Sequence, residues 1–282
     1  MAVEAGFATG MAAEVVEACR ERREAEPGRR HLGMSSVGHP CARKTWLGMN
    51  APAGSGTGID GKLARIFDMG LAVEARMLRD LRLRWKVTDE QAECSDFGGW
   101  FRGHADGILR GATPEPMLLE IKSANDAAFR KFRSAGISCR PEYEAQVLLY
   151  MHYLGLPRAL FAVENKNTQA LHFQIVEADP GKAGLLREKA LRLLRADTAP
   201  PKLKKVIVSG REQDAGDCWW CEWRAGMCPR ADDAEEPLCG RCARFVSRFR
   251  LMEAGADSPS GLCLLTDSPA DRLGSCGSFE PR

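Results

Sequence analysis

The spacing of apolar residues predicts long helices at several places along the chain. Between residues 62 and 84, apolar side chains recur every three or four positions, which is the spacing of an amphipathic helix. The same spacing predicts helices over residues 11–26, 141–154 and 181–195, and a short helix that begins near Pro40.

In the middle of the chain, apolar residues recur at a shorter spacing than in the predicted helices, and this spacing predicts strands. Residues 98–109 and 117–123 are two such segments, and the glycine and two prolines of residues 110–116 predict a turn that makes them a hairpin. Further strands are predicted over residues 159–164 and 169–176. Helices and strands that alternate in this way predict an α/β fold, with a mixed central sheet flanked by helices.

Composition excludes several classes of protein. Of 282 residues, 44% are hydrophobic, so the chain can bury a core and is neither disordered throughout nor fibrous. No stretch approaches the roughly 18 consecutive apolar residues of a membrane span. The first twenty residues carry Glu4 and Glu14 and lack the basic start of a secretory signal. We therefore expect a cytoplasmic protein without a membrane partner.

Net charge alone does not indicate a partner. The chain has 40 basic and 38 acidic residues, a net charge of +2. Basic residues are concentrated in residues 62–86, with seven basic and three acidic, and in residues 122–140, with five basic and one acidic. A basic face on a near-neutral protein is compatible with a phosphate backbone, and solvated helix faces explain the same charges.

Two carboxylates and a lysine fall on the predicted hairpin. Asp106 lies near the end of its first strand, while Glu120 and Lys122 lie two apart on the second and so point to the same face. Such a cluster predicts a site for Mg²⁺ or Mn²⁺, held by the two carboxylates and the carbonyl of Ile121. Lys122 would position or deprotonate the attacking water, or neutralise phosphate charge. An ordinary hairpin with an exposed Glu–Lys pair is the alternative.

The neighbouring helices extend this pattern. Glu74 lies on the preceding helix, and Gln146 and Tyr150 share a face of the next one. The order resembles the PD-(D/E)XK (restriction-endonuclease-like) nuclease superfamily, and in particular its RecB-like branch with a trailing QxxxY motif. The segments that carry the resemblance are Gly-Leu-Ala-Val-Glu (70–74), Gly-His-Ala-Asp-Gly-Ile-Leu (103–109), Leu-Glu-Ile-Lys (119–122) and Gln-Val-Leu-Leu-Tyr (146–150), with Ala105 where the superfamily name has Pro.

The resemblance implies metal-dependent hydrolysis of DNA phosphodiester bonds. It implies that the catalytic residues are Glu74, Asp106, Glu120, Lys122, Gln146 and Tyr150, with the three carboxylates as cation ligands. His104 lies two residues before Asp106, so we expect it on the same side of the strand, touching DNA or metal, or serving as a structural histidine.

The leading function by this resemblance is a phage-type DNA exonuclease that processes duplex ends in recombination or repair. A single-strand annealing protein would then be a partner, an oligomer would be possible, and the location would be the cytoplasm of a bacterium or phage-infected host. Two alternatives stay open. One is a CRISPR-adaptation-type iron–sulfur nuclease, and the other is a non-catalytic, metal-stabilised DNA-binding scaffold.

Cysteines form a first set around the predicted core. Cys218, Cys221 and Cys228 have the spacing C-x2-C-x6-C, and Cys41 is the natural fourth ligand. Thiolates suit zinc and iron–sulfur clusters equally. One cysteine before the core and three after it resemble the iron–sulfur nucleases, in which a [4Fe–4S] cluster pins the C-terminal segment to the N-terminal one. The last gap is one residue longer than the usual spacing there, and a structural Zn²⁺ on the same residues stays open.

A second set lies near the end of the chain. Cys239, Cys242, Cys263 and Cys276 have the spacing C-x2-C-x20-C-x12-C, which predicts a possible structural zinc. These patterns divide the chain into an N-terminal helical segment (1–60), a PD-(D/E)XK nuclease core (61–200) and a Cys-rich, metal-stabilised C-terminal segment (201–282).

Two basic residues adjoin the first cysteine. Arg43 and Lys44 follow Cys41 closely and would lie beside the metal that it binds. We expect them to grip a DNA phosphate or, alternatively, to be solvated.

Overall fold

The computed structural model describes residues 2–26, 31–51, 56, 58, 60–231, 245–246, 249, 261–263 and 268–270. The helices in these ranges are α1 (Ala2–Glu24), α2 (Ala42–Asn50), α3 (Gly61–Leu81), α4 (Asp126–Ala135), α5 (Pro141–Leu154), α6 (Pro180–Arg195), α7 (Gly216–Trp219) and α8 (Met227–Arg230). The strands are β1 (Leu32–Gly33), β2 (Lys86–Thr88), β3 (Ala92–Asp96), β4 (Phe101–Ala105), β5 (Gly107–Arg110), β6 (Met117–Ala124), β7 (Arg158–Asn165), β8 (Leu171–Glu177), β9 (Val206–Val208), β10 (Arg211–Gln213), β11 (Phe245–Val246), β12 (Gly261–Cys263) and β13 (Ser268–Ala270).

Five strands form the central sheet, in the order β2-β5-β6-β7-β8. Strand β6 pairs antiparallel with β5 and parallel with β7, so the sheet is mixed as the sequence predicts. The parallel pair requires a crossover, which α4 and α5 supply. The mixed α/β architecture with flanking helices is therefore confirmed.

Helices cover both faces of this sheet. On one face, Val73 and Met77 of α3 pack with Leu119 and Ile121 of β6. On the other face, buried residues of β6 and β7 pack with Phe132 of α4 and with α5. Burial of each large apolar side chain contributes about 1.5–3 kcal/mol. Both faces of β6 are thus desolvated, and that includes the polar residues that β6 carries.

The predicted strand over residues 98–109 is wrong in one respect. It is two strands, because β4 pairs with β3 and β1 in a separate three-stranded sheet while β5 belongs to the central sheet. Asp106 is the single residue between them. The predicted hairpin itself is confirmed, since β5 pairs antiparallel with β6 and Gly107 lies opposite Leu119.

The predicted helices are confirmed with shifted ends. Helix α1 begins at Ala2 rather than near residue 11, and α5 spans the predicted residues, with Pro141 in its first turn and left-handed Gly155 (φ 64°) at its end. Helix α4 was not predicted. Its start is fixed by the Asn125 side chain, which accepts a 2.9 Å hydrogen bond from the N–H of Ala128.

The N-terminal helices pack on later elements. Helix α1 contacts α3, and this approach requires Gly61, because a Cβ there would clash with the carbonyl oxygen of Val16. Helix α2 contacts α6 and α8. In the ranges described, no helix is both long enough and apolar enough to cross a bilayer.

Candidate active site and cysteine cluster

Asp106 joins the break between β4 and β5 to the neighbouring strand β6. Its side chain is 7% exposed, and its Oδ2 accepts a 2.7 Å hydrogen bond from the main-chain N–H of Ile121. A carboxylate buried at a strand break is thereby fixed in place by the strand that carries the next two candidate residues. The proposed ligand role of the Ile121 carbonyl stays a prediction.

Glu120 and Lys122 form an ion pair on β6, which confirms that they share a face. Glu120 is 0% exposed, and its Oε1 accepts a hydrogen bond from the Lys122 ammonium group. Its other oxygen, Oε2, is buried and has no hydrogen-bond partner among the described residues. Because an unsatisfied buried carboxylate oxygen is costly, this atom indicates a ligand.

The electrostatics of the pair follow from burial. Burial raises the pKa of Glu120 to about 8, against the lowering effect of the Lys122 charge. Burial also raises the pKa of Asp106. For Lys122, burial opposes the charged form, but the charges of Glu120 and Asp106 outweigh it and raise the pKa. Burial thus favours the protonated form of these carboxyl groups, whereas a bound cation beside the Lys122 ammonium group would favour their charged form.

Glu74 of α3 completes the carboxylate cluster. Burial raises its pKa, the charge of Asp106 adds to the rise, and the charge of Lys122 opposes it. The side-chain amide of Gln91 donates a 2.9 Å hydrogen bond to Glu74 Oε1. Gln91 lies in the turn between β2 and β3 with a left-handed backbone (φ 55°), which costs a non-glycine residue energy and is frequent at functional sites.

Gln146 and Tyr150 share one face of α5, and Tyr150 lies near Glu120. The Gln146 amide donates a 3.2 Å hydrogen bond to the Tyr150 hydroxyl oxygen. Burial raises the pKa of Tyr150, and the nearby charge of Glu120 raises it further, so the phenol stays protonated. Gly103 makes room for this ring, since a Cβ there would lie 2.5 Å from the Tyr150 hydroxyl.

His104 does not join this cluster in the way that strand alternation predicts. It is exposed on β4, opposite Glu93, whereas Asp106 is buried. The physical reason is the sheet change at Asp106, which ends the alternation of faces. A contact between His104 and DNA stays a prediction without a place in the carboxylate site.

The three carboxylates are candidate ligands of a divalent cation. Within the described ranges, no three histidine, cysteine, aspartate or glutamate side chains are arranged to hold a metal ion as they stand. The chemistry of the donors fits a hard divalent cation nonetheless, because Mg²⁺ and Mn²⁺ prefer carboxylate oxygens and no described residue makes a hydrogen bond to the buried Glu120 Oε2. Asp106, Glu120 and Glu74 are the residues that would hold it.

The four cysteines of the first set lie around one cavity despite their distance in sequence. Cys41, Cys218, Cys221 and Cys228 all line one small cavity of about 40 Å³. The turn between Cys218 and Cys221 is closed by a 3.3 Å hydrogen bond between their main chains. Burial raises the pKa of the Cys218 and Cys221 thiols. Thiols are ligands that zinc and iron–sulfur clusters accept, but in the described part of the chain these four are not arranged to hold a metal ion as they stand.

Arg43 has a structural role, which corrects the prediction that it grips DNA. It is 1% exposed, and its guanidinium group donates hydrogen bonds of 2.9 Å to the Pro200 carbonyl and 2.6 Å to the Cys228 carbonyl. These bonds tie α2 to the C-terminal cysteine segment. Lys44 is half-buried and forms a 3.2 Å ion pair with Glu222, and its predicted contact with DNA stays untested.

The second cysteine set lies outside what can be described. Cys239, Cys242 and Cys276 fall beyond the described residues, and for Cys263 only the backbone, in β12, is described. A zinc site there stays a prediction.

Two residues at the carboxylate site were not predicted from the sequence. Tyr143 places its ring 5.2 Å from the Lys122 ammonium group, and it lies three residues before Gln146 on α5, a spacing that could have revealed it. Gln91 contacts Glu74 from a turn in which no motif marks it. Only the folded arrangement of α3 and this turn brings those two together.

Comparisons with known proteins give distant likenesses. No protein-family profile and no curated protein matches the chain. A crystal structure of a protein named SSO0001 superposes with a TM-score of 0.47 at 12% identity, over 80% of this chain and 98% of that one. The alkaline exonuclease LHK-Exo of Laribacter hongkongensis gives 0.41 at 18% identity, over 63% and 90% of the two chains. Its complex with dAMP gives 0.39 at 17% identity, over 58% and 86%. None reaches a TM-score of 0.5, and neither the family nor the function of this chain follows from them.

Proposed function

We propose that this chain is a divalent-cation-dependent nuclease of the PD-(D/E)XK superfamily that hydrolyses phosphodiester bonds in DNA, acting as an exonuclease on duplex ends. One observation carries this function. Asp106 and Glu120 are both buried beside Lys122, and Glu120 Oε2 has no hydrogen-bond partner among the described residues. A fold keeps such an arrangement at a cost to its stability, and a bound cation with an anionic substrate relieves that cost.

The roles of the chain's own residues follow from their charges. When bound, a divalent cation supplies positive charge that polarises a phosphoryl oxygen. Asp106 and Glu120, with Glu74 beside them, would hold that ion. Lys122 keeps its proton, because the neighbouring carboxylates raise its pKa, so it acts as a cationic donor to a phosphate oxygen rather than as a base.

Gln146 and Tyr150 serve as positioning residues in this proposal. The Gln146 amide donates to the Tyr150 hydroxyl, which leaves the phenolic proton available for a neighbouring acceptor. Tyr150 is buried near Glu120, so its hydroxyl would help to orient the groups around that carboxylate. Lys122 is held from the other side by Tyr143, whose ring attracts the ammonium group.

The cysteine cluster has a separate, structural role in the proposal. Cys41 precedes the sheet, and Cys218, Cys221 and Cys228 follow it, so one metal centre would link segments far apart in sequence. Closing so long a loop stabilises the fold. The buried Arg43 already makes the same connection through two carbonyls. We propose an iron–sulfur cluster or a Zn²⁺ ion at this place.

The test is DNA cleavage by anaerobically purified protein in Mg²⁺ or Mn²⁺, on linear and on closed-circular duplex. Glu120→Gln serves as the inactive variant, because it keeps the shape of the side chain and removes its charge. Degradation of linear DNA alone, abolished in Glu120→Gln, is the expected result. Cleavage of the circle as well would show that the chain is an endonuclease rather than an exonuclease. DNA binding without cleavage would favour a non-catalytic scaffold.

A further inference from the structure

A second concave surface, which we name the β1–α2 cavity, adjoins the carboxylate site. It has a volume of about 410 Å³ and is lined by residues of β1, α2 and the first turn of α5. Tyr143 belongs to both places, since its ring lies 5.2 Å from the Lys122 ammonium group and the residue also lines the cavity. Tyr143 therefore links the cavity lining to Lys122 of the carboxylate site.

The acidic groups of the lining argue against a phosphate in this cavity. His31 and His39 also line it, and burial, with the charge of Lys44, lowers the pKa of His39 and so favours its neutral form. The ammonium group of Lys44 forms a 3.2 Å ion pair with Glu222, which also lines the cavity. Glu142 adds a further negative charge to the wall. A phosphate would have to break the ion pair and approach two carboxylates, so its binding here is disfavoured.

The uncharged part of the lining suits a heterocycle. Leu32, Met49 and Tyr143 provide apolar walls, and Ser35 and Ser36 provide hydroxyl groups that can donate or accept hydrogen bonds. The Ser35 side chain makes no capping hydrogen bond to the short helical turn Ser36–Gly38. A flat ring with a polar edge matches such walls better than an ion or an aliphatic chain does.

We propose that the β1–α2 cavity receives one nucleobase of the DNA strand, next to the phosphate held at Lys122. The inference rests on the proposed nuclease function and adds a base subsite to it. Its volume lies within the roughly 300–1,000 Å³ of small-ligand pockets, which is room for a single base with its sugar. Because this base must leave the duplex stack to enter, the site takes single-stranded ends or frayed duplex ends.

Gly48 offers a way to fill the cavity without disturbing its walls. It lies on α2 and lines the cavity, and a Cβ added there meets no atom of the described residues within 4 Å. Gly48→Leu therefore adds a side chain without a clash with those residues. Gly184 is the matched control, since it lies within α6, outside this lining, and its added Cβ likewise meets no described atom within 4 Å. Both substitutions replace a helical glycine, so both remove the same helix penalty.

The experiment measures the Kd of single-stranded oligonucleotides by fluorescence anisotropy, in the full chain carrying Glu120→Gln to prevent cleavage. One abasic nucleotide is stepped along the strand. We expect one abasic position to weaken binding about tenfold, as the loss of a base contact would. Gly48→Leu should weaken binding of the intact strand to the same degree. In this variant, an abasic nucleotide at that position should cause no further loss of affinity. Gly48→Ala, which adds one methyl group, should give a smaller effect, and Gly184→Leu should give none.

The outcomes distinguish failure of the base subsite from failure of the proposed nuclease function. If no abasic position stands out in the parent chain, or if the abasic loss persists fully in both folded Gly48 variants, the cavity takes no base. If instead the parent chain binds no DNA at all, the proposed nuclease function fails together with the subsite. A loss in Gly184→Leu equal to that in Gly48→Leu would also overturn the inference, because the effect would not belong to the cavity.

Discussion

The main-chain N–H of Ile121 donates a 2.7 Å hydrogen bond to the carboxylate of Asp106, and both residues are buried. This bond joins the break between two sheets to the middle of strand β6. Asp106 therefore has a structural task besides its proposed cation-binding one. The two tasks require different things of the side chain, because an amide oxygen can accept the hydrogen bond but only a carboxylate carries the charge.

Replacing Asp106 should separate these two tasks. Asp106→Asn keeps an acceptor for the Ile121 N–H, whereas Asp106→Ala leaves that buried donor unsatisfied, at a cost of about 1–3 kcal/mol. We expect both variants to lose cleavage, and Asp106→Ala to have the lower free energy of unfolding, measured by chemical denaturation. Equal free energies of unfolding for the two variants would show that this hydrogen bond does not stabilise the fold.

The buried Glu120 should make stability depend on pH. Its pKa in the folded chain is raised by burial to about 8, so between the ordinary carboxyl value of about 4.3 and that value the folded state binds more protons than the unfolded state. The free energy of unfolding therefore falls as pH rises through this range. We expect denaturation in EDTA to show a steeper fall for the wild type than for Glu120→Gln. Parallel curves for the two proteins would contradict the assignment.

Gln91 should act on the cation through Glu74. Loss of its 2.9 Å hydrogen bond frees the Glu74 carboxylate to move, and loss of a partner behind a metal ligand typically weakens metal affinity about 10- to 100-fold. We expect Gln91→Ala to raise the Mn²⁺ concentration needed for half-maximal cleavage about tenfold, with kcat at saturating Mn²⁺ little changed.

Gln169→Ala is the control for Gln91→Ala. Gln169 also has a left-handed backbone (φ 60°), and its side chain contacts the carbonyl of Lys166 rather than a carboxylate. The Mn²⁺ dependence should stay at the wild-type value in this variant. An unshifted Mn²⁺ dependence in Gln91→Ala, or a lowered kcat with normal Mn²⁺ affinity, would remove Gln91 from the cation site.

Cys41 should be necessary for the metal of the cysteine cluster. Cys41→Ser removes one of the four proposed thiol ligands around the cavity, so we expect the iron or zinc content of the purified protein to fall and thermal stability to fall with it. Cys19→Ser is the control, because Cys19 lies on α1 and does not line that cavity. Full metal content in Cys41→Ser, or none in the wild type, would be incompatible with the proposed centre.

The sequence predicts the parts of this site that local geometry determines. The two-residue spacing of Glu120 and Lys122 is enough to place them on one face of a strand, and their ion pair confirms it. The four-residue spacing of Gln146 and Tyr150 likewise predicts their contact on a helix.

The rest depends on contacts between distant segments. The sheet change at Asp106 exists because β4 pairs with β3 and β5 pairs with β6. The local alternation of polar and apolar residues does not reveal which strands pair. The burial of Arg43 depends on carbonyls far along the chain, at Pro200 and Cys228. The position of Arg43 beside a proposed metal ligand therefore suggests a DNA contact, whereas its burial in the fold gives it a structural role.

The central claim, that Asp106 and Glu120 hold a divalent cation, is tested most directly by Mn²⁺ binding measured with electron paramagnetic resonance. Asp96→Asn is the control, because the Asp96 carboxylate is bound by Tyr153 (2.8 Å) and Arg187 (2.6 Å) away from the site. We predict that the wild type and Asp96→Asn bind Mn²⁺, and that Asp106→Asn and Glu120→Gln do not. Equal Mn²⁺ binding by all four proteins, or none by the wild type, would contradict the claim.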